Sequence, residues 1–281
     1  MSLTRPRHVL ITGGSRGIGL SIAQLFASKG YRCTLISRSE EALKSAVSSL
    51  TPLPSGNSES GLHDHPSNLD NHAYIAGDIT QYTQFWSLHP TRALSAVLPR
   101  PTPSKSRSSC VDVLVNCAGV AQKSLFLQTS HDEVENIVAV NLTSMMHGTR
   151  FLMRNGYLRG AKSSSQQERV RSPSVINVSS LFGLHGGFGA VSYAASKAGV
   201  LGFTRALASE YASHRVRVNA IVPGYIATDM TSDLDASELE KKIPLGRIGK
   251  PEEVASAALF LAENEYAHNC VLGIDGGLSA V

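Results

Sequence analysis

The sequence predicts an α/β protein: a single doubly wound domain whose seven-stranded parallel sheet carries helices on both faces. Three observations carry that reading. Short β-branched runs alternate with longer helical stretches along the chain. A glycine-rich turn follows the first such run and opens the first helix. The composition, 42% hydrophobic and 17% charged over 281 residues, is that of a packed globular chain. It excludes fibrous, collagen-like and wholly disordered proteins. No apolar run reaches the roughly 18 residues that a membrane-spanning helix needs. The four cysteines (Cys33, Cys110, Cys117 and Cys270) are scattered, with no C-x-x-C pair. That spacing suits neither a disulfide scaffold nor a structural zinc site, and it fits a reducing compartment.

In chain order, residues 9–12, 34–37, 74–76, 111–116, 174–179 and 216–222 read as buried strands, with 270–274 as a seventh. Helical patterns lie between them near 17–29, 39–50, 80–98, 131–155, 191–212 and 251–263. Residues 51–72, 99–109 and 160–173 are rich in Ser and Pro and cannot bury a core. They are expected to be loop insertions within one domain spanning 1–281, because the strands on either side continue one alternation. Each follows a helix and precedes a strand. That places it on the rim opposite the strand carboxyl ends, where such sheets bind ligands. His63, His65 and His72 fall in the first insertion, with no ligand spacing that would imply a metal.

Net charge is +4, with Lys and Arg spread along the chain. That bias suits an anionic small ligand or an acidic partner; no aromatic-basic module points to nucleic acid. The first eight residues carry Arg5 and Arg7 and no acid, yet are expected to be too few for a cleavable amphipathic targeting helix.

Strand 9–12 runs into Gly13-Gly14-Ser15-Arg16-Gly17-Ile18-Gly19. Glycines at 13, 17 and 19 permit a tight turn and close backbone approach to a pyrophosphate. The helix N-terminus that follows offers free N–H groups and a positive dipole end. Tyr193 and Lys197, at i and i+4, share one helix face. A phenol ordinarily titrates near about 10, and a neighbouring ammonium is expected to lower that value. The pair would then serve as a general acid toward an alkoxide forming at a reduced carbonyl. Ser180 ends the strand 13 residues before Tyr193, where its hydroxyl can hold a carbonyl oxygen. Ser179 competes for that role.

The G-x3-G-x-G turn, Asn116-Cys117-Ala118-Gly119, Tyr193-Ala-Ala-Ser-Lys197 and Pro223-Gly224-Tyr-Ile226-Ala-Thr228 occur in the order found in short-chain dehydrogenases/reductases, and the chain resembles that family. Within it, Asn219 to Met230, Ile243 to Ala255 and Gly273-Ile-Asp-Gly-Gly277 are most similar to the 3-oxoacyl-(acyl-carrier-protein) reductases. The resemblance implies a Rossmann fold and a catalytic set of Asn141, Ser180, Tyr193 and Lys197. It favours Ser180 over Ser179 by the 13-residue interval, and it gives Asn141 a water that relays protons to Lys197. It implies cofactor contacts from Gly13, Ser15, Arg16, Gly17, Ile18 and Gly19, and from Asp78 and Ile79 beside adenine. Asn116, Ala118 and Gly119 would lie against the ribose, with Tyr193 and Lys197 beyond. Pro223 and Gly224 would also lie against the cofactor, with the Ile226 backbone and the Thr228 hydroxyl holding the nicotinamide carboxamide. Cys117 reads as a packed residue without a basic partner.

Strand 34–37 ends at Ser37-Arg38, with no acid to bond a ribose 2′-hydroxyl. Arg38 and Arg16 could instead bracket a 2′-phosphate, so NADPH is the expected cofactor. The expected reaction is reduction of a 3-oxoacyl thioester borne by acyl carrier protein, in type II fatty acid synthesis. Arg150, Arg154, His214 and Arg215 are candidates for meeting that acidic carrier, or are ordinary solvated charges. Residues 228–248 are polar, without a clear strand, and read as a substrate lid. The alternatives are a carbonyl, quinone or hydroxysteroid oxidoreductase of the same family, and a non-catalytic scaffold subunit of a hetero-oligomer. The resemblance further implies a homotetramer, in the mitochondrial matrix or the cytoplasm.

Overall fold

A computed structural model describes residues 5–53, 71–87, 94, 97–98, 110–160 and 171–280. Most of the three insertions, and most of 88–98, lie outside the described residues. Seven strands form one sheet: β1 (His8–Thr12), β2 (Arg32–Ser37), β3 (Ala73–Ala76), β4 (Val113–Asn116), β5 (Ser174–Val178), β6 (Arg217–Pro223) and β7 (Val271–Ile274). Their order is β3-β2-β1-β4-β5-β6-β7. Every pairing is parallel.

Alternation along the strands explains why their sequences are largely apolar. Val9 and Ile11 of β1, with Val113 and Val115 of β4, pack under α1 (Gly17–Ser28), against Ile22 and Phe26. Leu10 and Leu114 point the other way, into a second core with Leu152, Tyr157 and Val218. With both faces covered, most strand positions are apolar, and the polar ones that remain are hydrogen-bonded inside the core. Each fully buried aliphatic of this kind contributes about 1.5–3 kcal/mol.

Further α-helices among the described residues are α2 (Glu40–Ser48), α3 (Tyr82–Phe85), α4 (His131–Val138), α5 (Ser144–Arg154), α6 (Phe182–His185), α7 (Val191–Tyr211), α8 (Ala236–Lys242) and α9 (Pro251–Glu263). The single helix expected over 131–155 is interrupted by a π turn at Ala139–Thr143, between α4 and α5. The stretch expected as a lid carries α8, whose N-terminus is capped by Asp235 accepting from Ser237 and Glu238 N–H. A buried polar string ties the sheet centre together. Asn116 Nδ2 donates to Thr149 Oγ1 (3.1 Å) and Asn177 Oδ1 (2.8 Å), and Asn177 Nδ2 donates to Thr204 Oγ1 (2.9 Å).

Candidate active site

The strand order reverses beside β1, between β2 and β4, and the glycine turn leaves the sheet at that point. Its shape leaves no room for side chains. An ideal Cβ on Gly13 would lie 2.8 Å from the Ala118 backbone, and one on Gly19 would lie 2.2 Å from the Gly13 carbonyl oxygen. Gly13 and Gly17 also have φ of +70° and +53°, where a Cβ is strained. Thr12 Oγ1 accepts from the N–H groups of Cys117 and Ala118, locking the β4 exit against the turn. No side chain caps the start of α1, and no acid lies in its first turn. Its N–H groups and dipole therefore face an open cradle. These residues fit the diphosphate of a dinucleotide.

On the far side, Gly17 approaches the Thr228 side chain, with 3.3 Å from an ideal Cβ. Arg16 reaches Asp229 at 3.2 Å across that gap. Ile226 is buried and bridges to Gly249, while Gly224 donates to the Ile274 carbonyl, fixing the segment after Pro223. Ser15 and Ile18 lie in the turn, both partly buried. Ser37 ends β2, and Arg38 beyond it is exposed and makes no ion pair with the described residues. Asp78 accepts from the N–H and hydroxyl of Thr80, which shapes the turn after β3, and Ile79 is buried beside it. The Asn116 side chain is engaged in the buried string, so a cofactor contact there falls to backbone.

The proton-handling residues meet beside Gly119. An ideal Cβ on that glycine would lie 3.3 Å from Asn141 Oδ1 and 3.4 Å from Lys197 Nζ. Tyr193 stands in the first turn of α7, with the Ser180 hydroxyl near enough to its phenol to favour the ionised form. Ser179 faces elsewhere, donating to the Lys197 carbonyl at 2.8 Å. The geometry thus places Ser180, and not Ser179, at the phenol. Lys197 Nζ donates to the Val178 carbonyl at 2.9 Å and lies 5.8 Å from the Tyr193 ring centre.

The electrostatics differ from the expectation. Burial raises the Tyr193 pKa, and the Ser180 hydroxyl only partly opposes it. Lys197 does not offset this, because it gives up its own charge before a phenol held above its ordinary value titrates. Burial instead lowers Lys197 to about 8. The phenol is thus held protonated, the form that can donate, next to a lysine poised to exchange near neutral pH. Cys117 is driven up to about 11 by burial and stays a thiol.

Asn141 sits on the π turn, its side chain satisfied on both sides. Its Oδ1 accepts from Val120 N–H, and its Nδ2 donates to the Val120 carbonyl and to Ser196 Oγ. Ser196 in turn donates to the Tyr193 carbonyl. Sequence reasoning missed Gln122, whose Oε1 accepts from the N–H groups of Ser192 (2.8 Å) and Tyr193 (3.4 Å). Nothing local in the sequence marks it, since its partners lie about 70 positions on. Arg150 and Arg154 line a groove of about 420 Å³ with Tyr82, Trp86 and His147. His214 and Arg215 are exposed. Among the described residues, no helix is long and apolar enough to cross a membrane.

A diphosphate cradle and a Ser–Tyr–Lys group with its lysine buried, at one end of a parallel sheet, are what a nicotinamide-dependent oxidoreductase requires. Comparison with known proteins agrees. Residues 7–85 match the family model described as short chain dehydrogenase, and 104–279 match Enoyl-(Acyl carrier protein) reductase. The chain is 35% identical over 283 residues to a 3-oxoacyl-(acyl-carrier-protein) reductase of Chlamydia muridarum, covering 99% of each. It is 35% identical over 271 residues to the human protein of that name, covering 96% of this chain and 97% of the relative. It is also 33% identical over 268 residues to carbonyl reductase family member 4 of Xenopus laevis, covering 95% and 96%. A crystal structure from Agrobacterium tumefaciens, provisionally described as a gluconate dehydrogenase, shares the fold. Its TM-score is 0.76 at 24% identity, over 99% of this chain and 97% of that one. The chain belongs to the short-chain dehydrogenase/reductase family and is an oxidoreductase acting on carbonyl or hydroxyl groups with a nicotinamide cofactor.

Proposed function

We propose that the protein reduces a 3-oxoacyl thioester, carried by acyl carrier protein, to the 3-hydroxyacyl thioester with NADPH, in type II fatty acid synthesis. The observation that carries this reading is the Ser180–Tyr193–Lys197 group, set beside Gly119 in a chain similar over nearly its whole length to reductases of that name. Arg38, exposed past β2 with no acid beside it, supports NADPH and reaches for a 2′-phosphate together with Arg16. Gly13 to Gly19, Asp78, Ile79, Asn116, Ala118 and Gly119 hold the rest of the dinucleotide, while Ile226 and Thr228 hold its carboxamide.

When bound, the nicotinamide supplies the hydride. The chain supplies everything else. Ser180 holds the substrate oxygen, and Tyr193 gives it a proton as charge develops there. Lys197 and Asn141 keep the phenol supplied with protons. The 228–248 segment covers the substrate. Arg150, Arg154 and Arg215 present positive charge to an acidic carrier, with His214 beside Arg215. A homotetramer in the matrix or cytoplasm completes the reading.

A second reading, reduction of free ketones or quinones, is favoured by the similarity to carbonyl reductase family member 4. A steady-state panel of acetoacetyl-carrier thioesters and simple ketones, read as NADPH oxidation, separates the two. The proposal expects the carrier thioesters to have the highest kcat/KM; a faster free ketone selects the second reading. In either case Tyr193→Phe is expected to lower kcat by about 10²-fold or more. Near-normal turnover by that variant would remove Tyr193 from the chemistry.

A further inference from the structure

We infer that Gln122 is a positioning residue that sets Tyr193 relative to the loop that follows Gly119; the inference rests on the reading of Tyr193 as proton donor. Helix α7 starts after Ala190, which has no side chain to cap it. Its first N–H groups therefore need an acceptor from elsewhere. Gln122 provides one: a single side-chain oxygen takes the N–H of Ser192 and, at longer range, that of Tyr193 itself. The capping atom thus holds the backbone of the residue whose phenol does the chemistry.

The other end of the same amide grips the loop that follows Gly119. Gln122 Nε2 donates to the Ser124 carbonyl (2.8 Å) and to Thr129 Oγ1 (3.4 Å). Those two residues bracket the 3-10 turn Phe126–Gln128, where Leu125, Phe126 and Leu127 are exposed apolar groups. Leu125 also lies 3.8 Å from the Cβ position of Gly189, at the approach to α7. Two residues upstream, Asn141 clamps Val120 to Ser196 on α7. Segment 120–124 is therefore braced to the catalytic helix twice, and Gln122 is the brace that reaches Tyr193 directly. An acyl chain resting on the Leu125–Leu127 turn would be registered to the proton donor through one amide.

Three variants of the full-length protein test this, assayed with whichever carbonyl compound the wild type reduces best. Gln122→Met removes acceptor and donors at similar volume. Gln122→Glu keeps the acceptor at a helix N-terminus that favours negative charge but loses both donors. Tyr193→Phe is run in parallel, and NADPH binding is measured by fluorescence titration without substrate. Gln122→Met is expected to lose about tenfold in kcat, since misplacement on the ångström scale costs up to about 10²-fold. Its NADPH affinity should stay within about twofold of wild type. Gln122→Glu is expected to recover most of the lost kcat. The inference is overturned by a fully active Gln122→Met, by a Gln122→Glu as impaired as Gln122→Met, or by NADPH affinity falling in step with kcat. If Tyr193→Phe keeps wild-type turnover, the donor reading fails and takes the role of Gln122 with it. An inactive Tyr193→Phe beside a fully active Gln122→Met overturns the Gln122 inference alone.

Discussion

Lys197 shows how the site makes its own chemistry out of burial. Its ammonium has left water for a niche where it donates to the Val178 carbonyl, and the charged form is penalised accordingly. The sign of the pH dependence follows. Below about 8 the ammonium is present and can feed protons toward Tyr193; above it the amine is neutral and cannot. Because kcat/KM reports groups of the free enzyme, it is expected to be level on the acid side of about 8 and to fall at higher pH. The inflection belongs to Lys197, whose lowered value comes from burial. A pH profile of kcat/KM measures it, and a limb lying at the ordinary lysine value of 10.5 would contradict the burial argument. At this scale the sequence was informative where spacing carries chemistry, as in Tyr193 and Lys197 one helical turn apart. It left Ser179 and Ser180 to be separated by geometry, because adjacent residues at a strand end differ only in the direction they face. Gln122 was illegible, since a cap supplied from a distant loop leaves no local pattern.

Among the elements, the β1–α1 turn is the most constrained. A methyl on Gly19 would meet the Gly13 carbonyl oxygen at 2.2 Å, and backbone there cannot step aside without opening the cradle. Gly19→Ala is therefore expected to weaken NADPH binding by more than about tenfold, each tenfold being about 1.4 kcal/mol, and to lower the unfolding midpoint. Gly202 in α7 is the control, with nothing within 4 Å of its Cβ position. Gly202→Ala should stabilise the fold by about 0.5–1 kcal/mol and leave binding alone. Denaturant titration and fluorescence binding on both variants distinguish them; equal effects would mean that close approach is not what glycine provides at 19. Long helices such as α1 and α7 were legible in the sequence, and so were the strands, because burial on both faces makes them largely apolar. The four-residue α6 and seven-residue α8 were not. Elements that short are set by a cap such as Asp235, or by packing such as Gly183 against the α7 backbone, rather than by periodicity. The π turn that carries Asn141 was hidden for a related reason: one extra residue in a helical turn leaves composition unchanged.

For the molecule as a whole, the sheet order sets where its two halves converge. The glycine turn after β1 and the segment after β6 come from opposite sides of the reversal, and Arg16 with Asp229 is their direct ionic link. Both side chains are about three-quarters exposed, so the pair contributes little to stability, at most about 1 kcal/mol. Arg16 is thus available to a stronger anion, and Arg38, with no ion pair to the described residues, is available at no cost. A cofactor bearing a 2′-phosphate should exploit both, and one lacking it should exploit neither. Ligand that binds only the folded state stabilises by about 2.7 kcal/mol at a hundredfold excess over Kd. In a chain of this size that raises Tm by about 5 °C or more. NADPH is accordingly expected to raise the Tm of the wild type well above the effect of equimolar NADH. Arg38→Asp should erase most of the NADPH effect while sparing that of NADH, because the new carboxylate repels a phosphate but can accept from a ribose hydroxyl. Thermal unfolding of both proteins with each dinucleotide reads this directly. Equal protection of the wild type by the two cofactors, or an Arg38→Asp loss shared equally between them, would show that the end of β2 does not sense the phosphate.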